Sequence, residues 1–81
     1  MAKRNRPTAL AEHAALGAFL RGVREKSGLT QAELAGKLRQ PQSYVSRLES
    51  GERQLQVLEL FELCDAFGLE PWQVVKDFYT R

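Results

Sequence analysis

From Gln42 to Ser50 the chain reads QSYVSRLES, and most of its polar members are an amide, hydroxyls and a guanidinium. With Gln42 set at 0° and roughly 100° per residue, Ser46 falls near 40°, Ser50 near 80°, Ser43 near 100° and Arg47 near 140°. Tyr44, Val45 and Leu48 occupy the opposite arc, at about 200–300°. An ordinary exposed helix face would carry Glu/Lys pairs. Amides, hydroxyls and guanidinium groups are instead the side chains that match base edges in a major groove. Arginine suits guanine, glutamine suits adenine, and serine suits either. Taken alone, this helix leaves two readings open, a base-reading face and a merely solvated one.

Other chemistry finds little material. His13 is the only histidine and sits near the inner side of its helix, as a packing or edge residue would. Cys64 is the only cysteine, which excludes an internal disulfide and a cysteine-based metal cluster and suits a reducing compartment. It lies between Leu60 and Phe67 at core spacing, with no histidine nearby to activate it. The carboxylates are scattered, and there is no glycine-rich phosphate loop. The expectation is a non-enzyme with no metal and no cofactor.

The elements that position the polar arc follow from period and punctuation. Lys3, Arg4, Arg6 and Pro7 make residues 1–8 a flexible basic arm, with no apolar run behind it to form a signal peptide. From about Ala9, Leu16, Phe19, Leu20 and Val23 recur at helical spacing up to a stop at Gly28. Thr30 and Glu33 form a capping box that opens a second helix, with Leu34, Ala35 and Leu38 inward. Pro41 opens the third helix, 41–50. A fourth runs from about Leu55 to Phe67, and Pro71 begins a fifth. Helices this short are stable only by sharing a core. The expected members are Leu16, Leu20, Val23, Leu29, Leu34, Leu38, Val45, Leu48, Leu60, Leu63, Cys64, Phe67, Leu69 and Trp72. The fold expected is all-α, with residues 9–81 a single five-helix domain. An apolar fraction of 43% and a charged fraction of 27% fit such a soluble globule. No apolar run approaches the ~18 residues of a membrane span.

The second and third helices together, LTQAELAGKLRQPQSYVSRLESG, form a helix-turn-helix over about residues 30–50. Here the chain resembles the phage-repressor and Cro-like (XRE) helix-turn-helix family. The resemblance rests on Leu29-Thr30-Gln31 with Glu33-Leu34-Ala35, and on Ser43 through Gly51. It implies a compact lambda-repressor-like domain and a cytoplasmic transcriptional regulator of double-stranded DNA. It also implies that Gln42, Ser43, Ser46 and Arg47 contact bases. Thr30, Gln31, Ser50 and Arg53 match phosphate-contacting positions, and Gln31 also steadies the first recognition residue. Arg24 and Glu49 match an ion pair between the first and third helices, and each flanks the apolar arc of its own helix. Three turn residues depart from the family pattern. Arg39 stands where glycine is common, Gln40 where an apolar residue packs, and Pro41 where a hydroxyl caps. Arg39 is therefore expected either to adopt a positive φ or to sit in a turn that differs from the family's.

Residues 1–30 carry six basic and two acidic groups, residues 31–53 four and three, and residues 54–81 two and five. The net charges are +4, +1 and −3, which sum to +2. A basic front and an acidic rear suit a polyanion on one face only. The arm is expected either to touch DNA or to serve as a solubilising tail. Family members usually form homodimers on inverted repeats, so the rear should hold a symmetric interface. Leu58, Phe61, Val74, Phe78 and Tyr79 on the fourth and fifth helices are the expected contacts, or else they complete the monomer's own core. The rival function is a protein-interaction module, such as an antitoxin or adaptor, that uses the same fold to hold a protein partner. A docking face of that kind is more often apolar at its centre.

Overall fold

The computed structural model describes residues 9–81. Among these residues are five α-helices and no strand: α1 (Ala9–Lys26), α2 (Gln31–Leu38), α3 (Gln42–Ser50), α4 (Val57–Phe67) and α5 (Pro71–Tyr79). No helix among them is long and apolar enough to cross a membrane. The basic arm with Lys3, Arg4 and Arg6 lies outside the described residues.

Leu20, Leu34, Ala35, Val45, Leu48, Leu63, Cys64 and Val74 form the buried core, with Leu16, Leu29, Leu60 and Phe67 packed against it. The inner arc of α3 thus lies between α1 and α2, and its outer arc is left to solvent. Gly17 allows α1 and α3 to meet closely. A Cβ there would stand 2.7 Å from the Glu49 carbonyl oxygen and closer still to that of Leu48. At the far end of α3, Gly51 turns the chain at φ 85° and rests against Ala14, leaving no room for a side chain. Both contacts fix the depth at which α3 is seated.

The caps fix the ends. Thr30 Oγ1 accepts from the Glu33 N–H at 3.1 Å, and Glu33 Oε1 accepts from the Thr30 N–H at 2.9 Å, completing the expected box. That backbone bond, then the hydroxyl bond, holds the Glu33 carboxyl below its usual pKa. Arg39 has φ 56° and ψ 42°, the left-handed conformation that is the first of the two expected outcomes. In that conformation its N–H reaches the Ala35 and Gly36 carbonyls, and the Gln40 N–H reaches Ala35 at 3.0 Å. Pro41, at ψ 155°, stays extended and precedes α3 without a side-chain cap. The helix therefore starts one residue later than the sequence suggests. α4 also starts later, at Val57, because Glu59 reaches back to the Gln56 N–H at 2.9 Å and fixes Gln56 as the cap.

Three core assignments change. Trp72 is 69% exposed and Leu69 is also exposed, while Val74 is buried at 3%. In a helix begun at Pro71, Val74 and Phe78 share the inward face, and Trp72 lies about 200° from Val74. Phe78 packs edge-to-face on Phe19, with ring centroids 5.4 Å apart. The Arg81 guanidinium covers the Phe78 ring at 3.8 Å. Val74 therefore belongs to the monomer's own core and is withdrawn from the expected dimer contacts, while Phe78 is half-buried against Phe19. Leu58, Phe61 and Tyr79 remain exposed. Phe19 is half-buried under Phe78.

Candidate nucleic-acid interface

The site is one face of α3 with the N-terminus of α2 beside it. Gln42, Ser43, Ser46 and Arg47 are all exposed, opposite Val45 and Leu48, which are buried. The four residues expected to read bases are thus brought together on one arc. Behind them a network fixes the frame. Arg24 Nε donates to Glu49 Oε2 at 2.6 Å and its Nη2 to Glu49 Oε1 at 3.2 Å. A third bond runs from Nη1 to the Leu29 carbonyl at 2.8 Å, tying α1 to the lead-in of α2. The two charged side chains are only 9% and 7% exposed, and the expected pair is present. Glu49's hydrogen bond, outweighing burial, raises the Arg24 pKa still further.

Gln31 continues the network forward. Its Nε2 donates to Glu49 Oε1 at 2.9 Å, and its Oε1 accepts from Gln42 Nε2 at 3.4 Å. Residues from α1, α2 and α3 therefore converge on the first side chain of the exposed arc. Thr30, at the α2 N-terminus, has its oxygen engaged by Glu33, and its hydroxyl hydrogen can still donate outward. The backbone N–H groups of that first turn are the natural seat for an anion.

Two positions beyond α3 differ from simple expectation. The Ser50 hydroxyl donates to the Arg47 carbonyl at 3.1 Å and accepts from the Glu52 N–H at 3.4 Å, so it shapes the loop. Arg53 is no free cation. Its Nη2 pairs with Glu59 Oε2, and its guanidinium lies 4.9 Å from the centre of the Tyr44 ring. The Arg53 Nε is buried with no hydrogen-bond partner. The Tyr44 hydroxyl donates to the same Glu59 oxygen at 2.9 Å. The Gln56 backbone bond, aided by Tyr44 and Arg53, holds the Glu59 carboxyl below its usual pKa. Burial first, then Glu59, pushes the Tyr44 pKa up. Tyr44 and Glu59 were not among the expected site residues. Their sequence signal is faint: an aromatic at the rim of the α3 apolar arc, and a glutamate three residues after a polar cap.

Cys64 is fully buried, and burial raises its pKa, which removes it as a nucleophile. His13 is half-buried on α1. Among the described residues no group of histidine, cysteine and carboxylate side chains could hold a metal ion.

The family described as Helix-turn-helix domain matches residues 15–74, which include all of α2, α3 and α4. The chain belongs to the XRE-type helix-turn-helix family. The HTH-type transcriptional regulator y4dJ of Sinorhizobium fredii is 35% identical over 60 residues, 74% of this chain and 78% of that protein. Among solved structures, the clp gene regulator ClgR of Corynebacterium glutamicum superposes with a TM-score of 0.79 at 32% identity. That match covers 93% of this chain and 94% of ClgR. An XRE-family-like protein of Pseudomonas syringae superposes at 0.77 with 37% identity, covering 86% and 85% of the two chains. The protein is thus a helix-turn-helix transcriptional regulator, with α2 and α3 as the two helices of the motif. The relatives named above are described as regulators.

Proposed function

We propose that the protein binds operator DNA sequence-specifically, as a homodimer on an inverted repeat, with α3 in the major groove. The observation that carries this reading is the exposed arc of Gln42, Ser43, Ser46 and Arg47 on a helix locked from behind by Arg24 and Glu49. Arg47 offers a fork for guanine, Gln42 an amide for adenine, and the two serines adaptable hydroxyls. Gln31, Thr30 and the first-turn N–H groups of α2 meet a phosphate on one side of the groove. Ser50 and Arg53 meet another beyond α3, with Arg53 steadied by Glu59 and Tyr44.

A nine-residue recognition helix spans only a few base pairs. Pairing two copies across half-sites about one helical turn apart supplies the rest of the specificity. Exposed Leu58 and Phe61 on α4 support a rear interface. So do exposed Trp72, Val75 and Tyr79 on α5. A regulator of this kind works in the cytoplasm on double-stranded DNA and needs no cofactor to fold or bind.

The test is selection from a random duplex library at near-physiological salt, with Gln42→Ala/Arg47→Ala run beside the wild type. The expected outcome is enrichment of an inverted repeat by the wild type and its loss in the variant, at roughly 1–3 kcal/mol per lost bidentate contact. Equal weak binding by both proteins would remove base reading from α3.

A further inference from the structure

We propose that Glu49 is a specificity-determining residue that never touches DNA: through Gln31 it sets which way the Gln42 amide faces the groove. The proposal rests on the reading of α3 as the base-reading helix. Glu49 Oε1 stands 2.9 Å from the Gln31 amide. An ionised carboxylate only accepts, so the Gln31 atom facing it must be the Nε2 donor. That choice fixes the other end of the amide. Gln31 turns its Oε1 acceptor toward Gln42, whose nearest atom, at 3.4 Å, must therefore be its own Nε2. The donor-to-acceptor order then runs Arg24 to Glu49, Gln31 to Glu49, and Gln42 to Gln31.

The consequence lies in what Gln42 has left to offer. One Nε2 hydrogen is engaged by Gln31; the second Nε2 hydrogen and the Oε1 acceptor face outward. One donor beside one acceptor matches adenine, which presents the N7 acceptor beside the N6 donor. Guanine presents two acceptors, N7 and O6, so the same amide sets its Oε1 against O6. A free glutamine could turn its amide over and place the NH₂ on O6. Held through Gln31, it cannot do so without breaking the bond to Gln31. The acid on α3 therefore reinforces the adenine preference that a glutamine amide already has, and Arg24 holds that acid in place.

Competition binding tests this with operator duplexes that carry adenine or guanine at the base pair read by Gln42. The Gln42→Ala variant locates that base pair. Gln31→Met keeps the helix and its bulk but can neither donate to Glu49 nor accept from Gln42. Glu49→Gln can face Gln31 with either end of its amide. The wild type should prefer adenine by roughly tenfold or more, as one bidentate pair supplies. Both variants should lower that preference severalfold and leave the preference at the Arg47 base pair unchanged. A purely structural role would weaken binding to every sequence alike and leave both preferences standing. Where Glu49→Gln does not fold, Arg24→Met/Glu49→Met leaves no charge unpaired and removes the same acceptor. Adenine preference undiminished in the Gln31 and Glu49 variants, but lost in Gln42→Ala, overturns the relay and leaves the α3 reading intact. Preference unchanged in Gln42→Ala overturns both.

Discussion

At the scale of single residues, the frame of the site is a pair of opposite charges that water barely reaches. Arg24 and Glu49 each keep the other's desolvation tolerable, and Arg24 adds a bond to the Leu29 carbonyl. Truncating one partner leaves a buried charge alone. Arg24→Ala or Glu49→Ala should cost about 3–5 kcal/mol in urea unfolding. Replacing both with apolar residues of similar volume should cost far less, because no charge is then left unpaired. Glu59 is a second such point, with a pH signature. Its folded pKa is held below the ordinary 4.5, so its contribution is complete above that value and is lost as acidification passes the lowered folded value. Unfolding free energy should therefore fall as pH drops below 4.5, and Glu59→Gln should be less stable at neutral pH with a flatter acid limb. The arc residues were legible in the sequence because helical periodicity sets them opposite Val45 and Leu48, whereas the Arg24–Glu49 pair was legible through the family resemblance. Arg53 was not. Its pairing with Glu59 and Tyr44 depends on how the loop after Gly51 folds back, and no local pattern encodes that.

At the scale of elements, the turn between α2 and α3 decides the angle at which the polar arc is offered. The sequence marks this turn as unusual, with Arg39-Gln40-Pro41 in place of glycine, an apolar residue and a hydroxyl cap. The structure keeps the turn all the same. Arg39 takes the left-handed conformation at φ 56°, which is strained for a residue with a Cβ. Arg39→Gly should relieve that strain and stabilise the fold by roughly 0.5–1 kcal/mol, net of the added freedom of the unfolded chain. A rise in the urea midpoint at unchanged m-value is the expected reading. A fall would mean that the arginine side chain contributes more than its backbone costs. Caps were the most legible features: Thr30 with Glu33, Pro71 as a first-turn residue, and the glycine stops. The α5 face was the least. Trp72 was placed in the core, but α5 turns Val74 inward and leaves Trp72 exposed. Phase follows from where α5 meets Phe19 on α1, a contact between residues far apart in the chain.

At the scale of the whole molecule, the polar arc and the acidic rear are separate problems for one small protein. The exposed polar arc of α3 is built within the monomer. The rear is unfinished by a monomer's standards, because Leu58 is 71% exposed and Trp72 nearly as much. A solitary apolar side chain in water needs no explanation, but several large ones on two neighbouring helices mark a surface for a partner. On the proposed reading, a second copy would cover that surface and would also set two α3 helices on one DNA molecule. The wild type should therefore sediment as a dimer at micromolar concentration, and Leu58→Glu/Trp72→Glu as a monomer. Val74→Ala is the internal contrast: a core truncation, it should lower stability by roughly 2 kcal/mol without changing the sedimenting mass. The functional consequence follows from linkage. In a dimer the second half-site is met at a high effective concentration, so separating the subunits should weaken binding to an inverted repeat by about 10²–10⁴-fold. Base preference within each half-site should survive, because Gln42, Gln31 and Glu49 belong to the same chain. A variant that loses affinity but keeps its preferences places the rear surface in assembly and the front in reading. One that remains a dimer puts the contact between subunits elsewhere on the molecule.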